Sequence, residues 1–136
     1  KRIFAPMNSR ILMIASAAVL VAFGLVLSFA PEEAIVYLGG TVQGFETLLV
    51  QLAGALYLGF AITNWTAKGM VLGGIYGRAL VLGNFLHFTI GALALLKVAS
   101  GTAQSPVVWA MAAVYAVFAV LFFRLLFSLA KISQSK

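Results

Sequence analysis

Four apolar runs, each long enough to cross a bilayer, leave this chain few folds to choose from. They cover residues 11–30, 42–65, 70–96 and about 107–130, and none carries more than one Lys, Arg, Asp or Glu. About 20 apolar residues span the hydrocarbon core as a helix. In lipid the backbone must satisfy its own polar groups, so such runs are helices. The 136 residues are 63% hydrophobic and 9% charged, where soluble domains have about 45–50% and about 25%. The expected fold is all-α: one domain over residues 1–136, with four transmembrane helices in an up-down-up-down antiparallel bundle.

The first run is longer than the 7–15-residue core of a signal peptide, and Pro31 follows its only small-residue site. Pro31, Glu32 and Glu33 end it. The segment 34–40 is too short to span and reads as interfacial, with Tyr37 as an anchor. Asn64 to Gly69 reads as a tight turn with Trp65 and Lys68 at the interface, and Pro106 suits the first turn of the last helix.

The formal charge of +6 comes from cations placed singly at the ends of the runs. That is a mark of orientation, and no nucleic-acid partner is expected. Lys1, Arg2, Arg10, Lys68, Lys131 and Lys136 fall on one side. Lys97 falls on the other, with Glu32 and Glu33. The positive-inside rule puts both termini in the cytoplasm. Small size and this pattern make a bacterial cytoplasmic (inner) membrane the default location. The chain has no Cys, which excludes disulfides, thiol catalysis and Cys-ligated metal.

The third run poses the problem, because it carries Arg78, Asn84 and His87 among glycines. Gly69, Gly73 and Gly77 form one small-residue row; Gly83, His87 and Gly91 fall on another. Such rows let a neighbouring helix or a flat ligand approach closely. In the second run, Gln43, Thr47, Gln51, Ala55, Gly59 and Thr63 form a row of polar or small residues at i+4 spacing. In the first, Ala15, Ala18 and Ala22 do the same. Polar side chains in a span face the bundle or a cavity, because lipid exposure is costly.

Counting outward from a turn at 66–69 puts Glu46 and Thr47 at the depth of His87, and Gln51 at that of Asn84. His87 then reads in three ways. It is a core histidine bonded to Thr47, Glu46 or Gln51, a proton-active or ligand-binding residue paired with Glu46, or an axial ligand to haem or chlorophyll. No other metal site is suggested. Arg78 and Arg124 fall at similar depth in the other half, with no acid in reach. Tyr57, Tyr115 or backbone carbonyls are available to Arg78, and both arginines can snorkel or hold an anionic lipid headgroup.

No phosphate-binding loop, HExxH, paired carboxylates or Ser-His-Asp set occurs, so a non-catalytic role is expected. The four spans, the stretch GALYLGF at 54–60 and the glycine-rich third run resemble small four-helix membrane families of the DoxX-like and Erg28-like kind. The resemblance covers the whole length as a hydropathy pattern. DoxX-like proteins include accessory subunits of membrane oxidoreductases, and Erg28-like proteins act as scaffolds. The leading expectation is therefore an accessory or scaffold subunit, packing through small-residue faces in a homo-oligomer or a larger membrane complex. The alternative is a binder or carrier of lipid or a small hydrophobic ligand, using Glu46, Gln51, Asn84 and His87 in one half or Arg78 and Arg124 in the other.

Overall fold

The computed structural model describes residues 8–70, 72, 74–101 and 105–133, with side chains as far as residue 129. Five helices follow in order: α1 (Ser9–Phe29), α2 (Pro31–Tyr37), α3 (Gly44–Ala67), α4 (Ile75–Ser100) and α5 (Pro106–Ser133). Four are long and apolar enough to cross a membrane: α1, α3, α4 and the Pro106–Leu129 part of α5. The chain is accordingly treated as an integral membrane protein. Gly73 and the cations Lys1, Arg2 and Lys136 lie outside the described residues, as does the side chain of Lys131.

Local chemistry sets the boundaries. The Asn8 side chain caps α1 by accepting from the Arg10 backbone N–H at 3.1 Å. Pro31 cannot continue α1 and instead occupies the first position of α2, followed by Glu32 and Glu33. Carboxylates suit the positive end of the helix dipole. Gly39 turns the chain after α2 with φ +84°, a conformation that favours glycine. Pro106 begins α5.

One boundary differs from the sequence expectation in a way that matters later. The reversal after α3 is not a four-residue turn at 66–69, and α4 starts at Ile75 rather than Met70. Asn64, Trp65 and Thr66 belong to α3. Residues 68–74 make the connection, in which Leu72 folds back over Gly77. A Cβ at Gly77 would lie 2.5 Å from the Leu72 Cα, so only glycine admits that fold-back.

Two helix pairs carry the closest packing: α1 on α3, and α4 on α5. Glycine makes the first approach possible. A Cβ at Gly54 would come 2.7 Å from the Ser28 backbone nitrogen, and one at Gly24 would lie 2.8 Å from Leu58. The second pair uses a run of rings. Phe88 stacks on Phe118 and Phe122 with centroids at 4.8 and 5.7 Å, and Phe85 meets Phe123 at 5.7 Å. The two pairs then meet along α3 with α4 and α1 with α5, where side chains fill a wider gap.

The core comprises Met13, Leu20, Ala61, Val81, Phe88, Tyr115 and Phe122, with Leu12, Leu125 and Leu129 around them. Large apolar side chains such as Leu25, Leu52, Ile62, Leu86, Ile90 and Val120 are exposed on the outside. In water that surface would be untenable; in a bilayer it is the solvated face. Lipid tails are as apolar as leucine, so burial between helices gives little net driving force. Close contacts and interhelical hydrogen bonds must hold the bundle.

Candidate functional site

Two groups of polar side chains lie inside this apolar bundle. The first joins three helices. Asn64 of α3 and Asn84 of α4 exchange amide hydrogen bonds, each Nδ2 donating to the other Oδ1 at 2.7 Å. Asn64 Nδ2 also donates to Ser16 Oγ of α1 at 3.0 Å, and Asn84 Nδ2 donates to the Leu80 carbonyl at 3.0 Å. Ser16 Oγ in turn donates to the Met13 carbonyl at 3.1 Å. Ser16, Asn64 and Asn84 have no exposed surface. Every polar atom of both amides has a partner, so this group is closed.

The second group centres on His87, near the middle of α4. Its ring is enclosed by Tyr57 at 5.1 Å, Phe60 at 5.2 Å, Phe88 at 5.1 Å and Tyr115 at 5.7 Å between centroids. Phe60 stacks on it and Tyr57 and Phe88 meet it edge to face. The imidazole Nε2 is buried without a hydrogen-bond partner. So is the hydroxyl of Tyr115, a residue only 1% exposed. The Tyr57 phenol lies toward that hydroxyl, but outside hydrogen-bonding geometry. Nearly all buried polar atoms in proteins are paired, so these two atoms stand out. Ser28 Oγ and Thr89 Oγ1 are also unpaired, but neither residue lines the cleft described next.

Tyr57 and Tyr115 form part of the wall of a partly open cleft of about 360 Å³. The rest of it is Leu38, Gly91, Ala94, Leu95, Val98, Val108 and Met111. Leu38 follows α2, and the others belong to α4 and α5. Gly91 is required here: a Cβ would lie 2.5 Å from the Tyr115 ring. His87 sits one layer behind the two tyrosines. Among the described residues no charged side chain lines the cleft.

This arrangement corrects the depth count. His87 faces Tyr57 and Phe60, and Asn84 faces Asn64, which lies thirteen residues from Gln51. The late start of α4 causes the offset. Glu46 is exposed in the first turn of α3. It is eleven residues before Tyr57, or about 16 Å at 1.5 Å per residue. Gln51 is exposed as well, and neither is brought to His87 or Asn84. Thr47 bonds its own helix, donating to the Gln43 carbonyl at 3.2 Å.

The arginines move too. Asn64 is three residues before the end of α3, whereas Arg78 is six residues before its partner Asn84. Arg78 therefore lies beyond the level where α3 ends, rather than deep in a span. It is exposed beside a groove shared with Ala79, Leu82, Leu126 and Phe127. Tyr57 and Tyr115 turn to His87 and are not its partners. Arg124 is exposed and follows Phe123, which meets Phe85, so it lies deeper than Arg78. At the same end Lys68 sits over the Trp65 ring, 3.1 Å from its centroid.

The small-residue rows divide. Gly77 and Gly91 are used within the chain, whereas a Cβ at Gly83 would make only an ordinary contact with Phe60 at 3.7 Å and one at Gly69 would meet nothing. Ala15, Ala18 and Ala22 point outward, and α1 buries Leu12, Met13, Ser16, Ala17, Leu20 and Gly24 instead. On α3 the buried positions are Gly54, Ala61, Asn64 and Ala67. The row Gln51, Ala55, Gly59 and Thr63 is exposed, with a groove along Ala55, Gly59, Phe60 and Thr63. Asn64 and Gly54 escaped the sequence reading. The spacing 54, 61, 64, 67 of small or polar residues was the available signal, hidden by assigning Asn64 to a turn.

Comparison with protein-family models, with curated proteins and with solved structures finds no match. No family is therefore shown, and the likeness to DoxX-like and Erg28-like proteins is one of span number and hydropathy.

Proposed function

We propose that this is a non-catalytic integral membrane protein that binds a small apolar molecule in the cleft beside Tyr57 and Tyr115. The observation carrying this reading is the partly open apolar cleft walled by Tyr57 and Tyr115, where the buried Tyr115 hydroxyl makes no hydrogen bond of good geometry although the Tyr57 phenol lies toward it. An unpaired buried hydroxyl costs about 1–3 kcal/mol, and a ligand oxygen would remove that cost. Concave, mostly apolar sites with a few convergent polar groups are the usual form of small-molecule sites. An antiparallel four-helix arrangement fits the contact order: Ser16 meets Asn64 while Gly24 meets Leu58, and Phe85 meets Phe123 while Gly91 meets Tyr115. The cation distribution supports cytoplasmic termini. The test is native mass spectrometry of the detergent-purified protein. A bound apolar species is expected in the wild type and absent after Ala94→Phe, which fills the cleft from an exposed position. Identical bound species in both would refute the reading.

A second reading keeps the accessory or scaffold role, and the outer face of α3 favours it. Gln51, Ala55, Gly59 and Thr63 present a small, polar stripe to lipid, and a Cβ at Gly59 would meet nothing. Such a stripe suits another helix. Mass measurement in mild detergent decides this: an oligomer that Gly59→Leu dissociates supports it, and a wild-type monomer without a co-purifying subunit removes it.

A further inference from the structure

The chemistry of the cleft narrows what it can hold. Among the described residues its lining has no cation and no anion. The charged side chains at that end among the described residues are Glu32, Glu33, Glu46 and Lys97, all exposed and none part of the wall. An ionised ligand head would therefore be buried without a counter-charge, which is strongly unfavourable. His87 supplies none either. It is walled by four aromatic rings with Glu46 far away, so an imidazolium there would itself be an uncompensated charge. What the site does offer is a hydroxyl. A tyrosine O–H donates one hydrogen bond and accepts others, and that of Tyr115 makes none of good geometry, with the Tyr57 phenol lying toward it.

Depth narrows it further. Tyr115 is nine residues beyond Pro106, where α5 begins, or about 14 Å along the helix. Taking Pro106 as the start of the span, that is close to half of a hydrocarbon core about 30 Å thick. The ester oxygens of a glycerolipid stay at the headgroup boundary and do not reach it. The ligand must carry its oxygen inward, buried among apolar atoms.

We propose that the cleft takes an uncharged lipophile with a ketone-type carbonyl, inserted so that its oxygen accepts a hydrogen bond from the Tyr115 hydroxyl deep in the membrane. This rests on the preceding reading that the cleft binds a small apolar molecule, and it specifies the head of that molecule. Tyr57 lies toward the donating hydroxyl.

Three probes of matched chain length separate the possibilities: 2-tridecanone, tridecanoate and tridecane, each added to the full chain in lipid nanodiscs. Binding is read by equilibrium partitioning, and the ketone stretch by infrared difference spectroscopy. The expected result is saturable 2-tridecanone binding, with the carbonyl band moved to lower frequency. Tyr115→Phe, which keeps the ring, should abolish the band shift and weaken binding roughly threefold to tenfold, the worth of one neutral hydrogen bond. Tridecanoate should bind more than roughly tenfold more weakly than the ketone. If tridecanoate binds as tightly as the ketone and Ala94→Phe blocks it, the uncharged head is wrong but the cleft still binds. If tridecane equals the ketone and Tyr115→Phe changes nothing, the hydrogen bond is wrong. If no probe binds saturably, or Ala94→Phe blocks none, the binding reading fails and this inference with it.

Discussion

The Asn64–Asn84 group and the His87–Tyr115 group are both polar, both buried and both attached to α4, yet they solve opposite problems. The asparagines meet with complementary amides at 2.7 Å, and Ser16 and the Leu80 carbonyl take up the remaining capacity. Nothing is left to offer a ligand. His87 Nε2 and the Tyr115 hydroxyl lie among aromatic rings and make no hydrogen bond of good geometry, the Tyr57 phenol lying toward Tyr115. In hydrocarbon a closed polar group is a clasp between helices, and an open one is a cost kept in place by the packing around it. Polarity in a span is thus ambiguous until its partners are counted.

Substitutions can break that distinction. The largest effect is expected from Asn84→Leu, which leaves the Asn64 amide buried and half paired. A loss of about 2 kcal/mol follows from the cost of an unsatisfied buried amide. It should appear as a lowered unfolding midpoint in detergent, and the double change Asn64→Leu with Asn84→Leu should recover part of it. A double mutant less stable than Asn84→Leu alone would show that the clasp does not act as a pair. Next comes Gly91→Ala. The added methyl must push the Tyr115 ring, so a loss of about 1–2 kcal/mol is expected from overpacking, together with a smaller cleft. A smaller effect, opposite in sign to the asparagine one, is expected for Tyr115→Phe. Removing an unpaired hydroxyl while keeping the ring should raise stability by about 1 kcal/mol, the low end of what an unpaired buried hydroxyl costs. A marked loss would show that the hydroxyl has a partner in the folded protein and that the second group is closed after all. Smallest of all is Glu46→Gln. With the side chain exposed at the start of α3, neither the unfolding midpoint nor probe binding should move. A change in either would restore the carboxylate to the neighbourhood of His87.

The four spans were legible because twenty uncharged apolar residues admit little else. So was the start of α5 at Pro106; the short helix Pro31–Tyr37 was not, because Pro31, Glu32 and Glu33 read as the end of the first span and 34–40 as a separate interfacial segment. Asn84 and His87 stood out for the same reason: polar groups in a long apolar run. Their partners were not legible. Pairing across a helical hairpin depends on how many residues the reversal consumes. Here α3 ends at Ala67 and α4 begins at Ile75, so Asn84 meets Asn64 and His87 meets Tyr57 and Phe60. Which face of a helix is buried was equally hidden. In lipid the outward face is as apolar as the inward one, so periodicity carries little information. The alanine row of α1 and the Gln51–Thr63 row of α3 looked like interior faces and are exterior. The cleft escaped notice because it is made by a glycine and two tyrosines on separate helices, none unusual alone.

The Asn64–Ser16 contact at 3.0 Å also bears on how the chain is made. Helices enter a membrane in order of synthesis, and an asparagine arriving before its main partner would stand bare in lipid. Ser16 belongs to the first helix and is already inserted when α3 follows. The Asn64 amide therefore has a temporary companion during biogenesis, until α4 delivers Asn84 and the clasp closes. Loss of Ser16 would then fall hardest on the nascent protein, as fewer chains reaching the membrane correctly, rather than on the finished bundle.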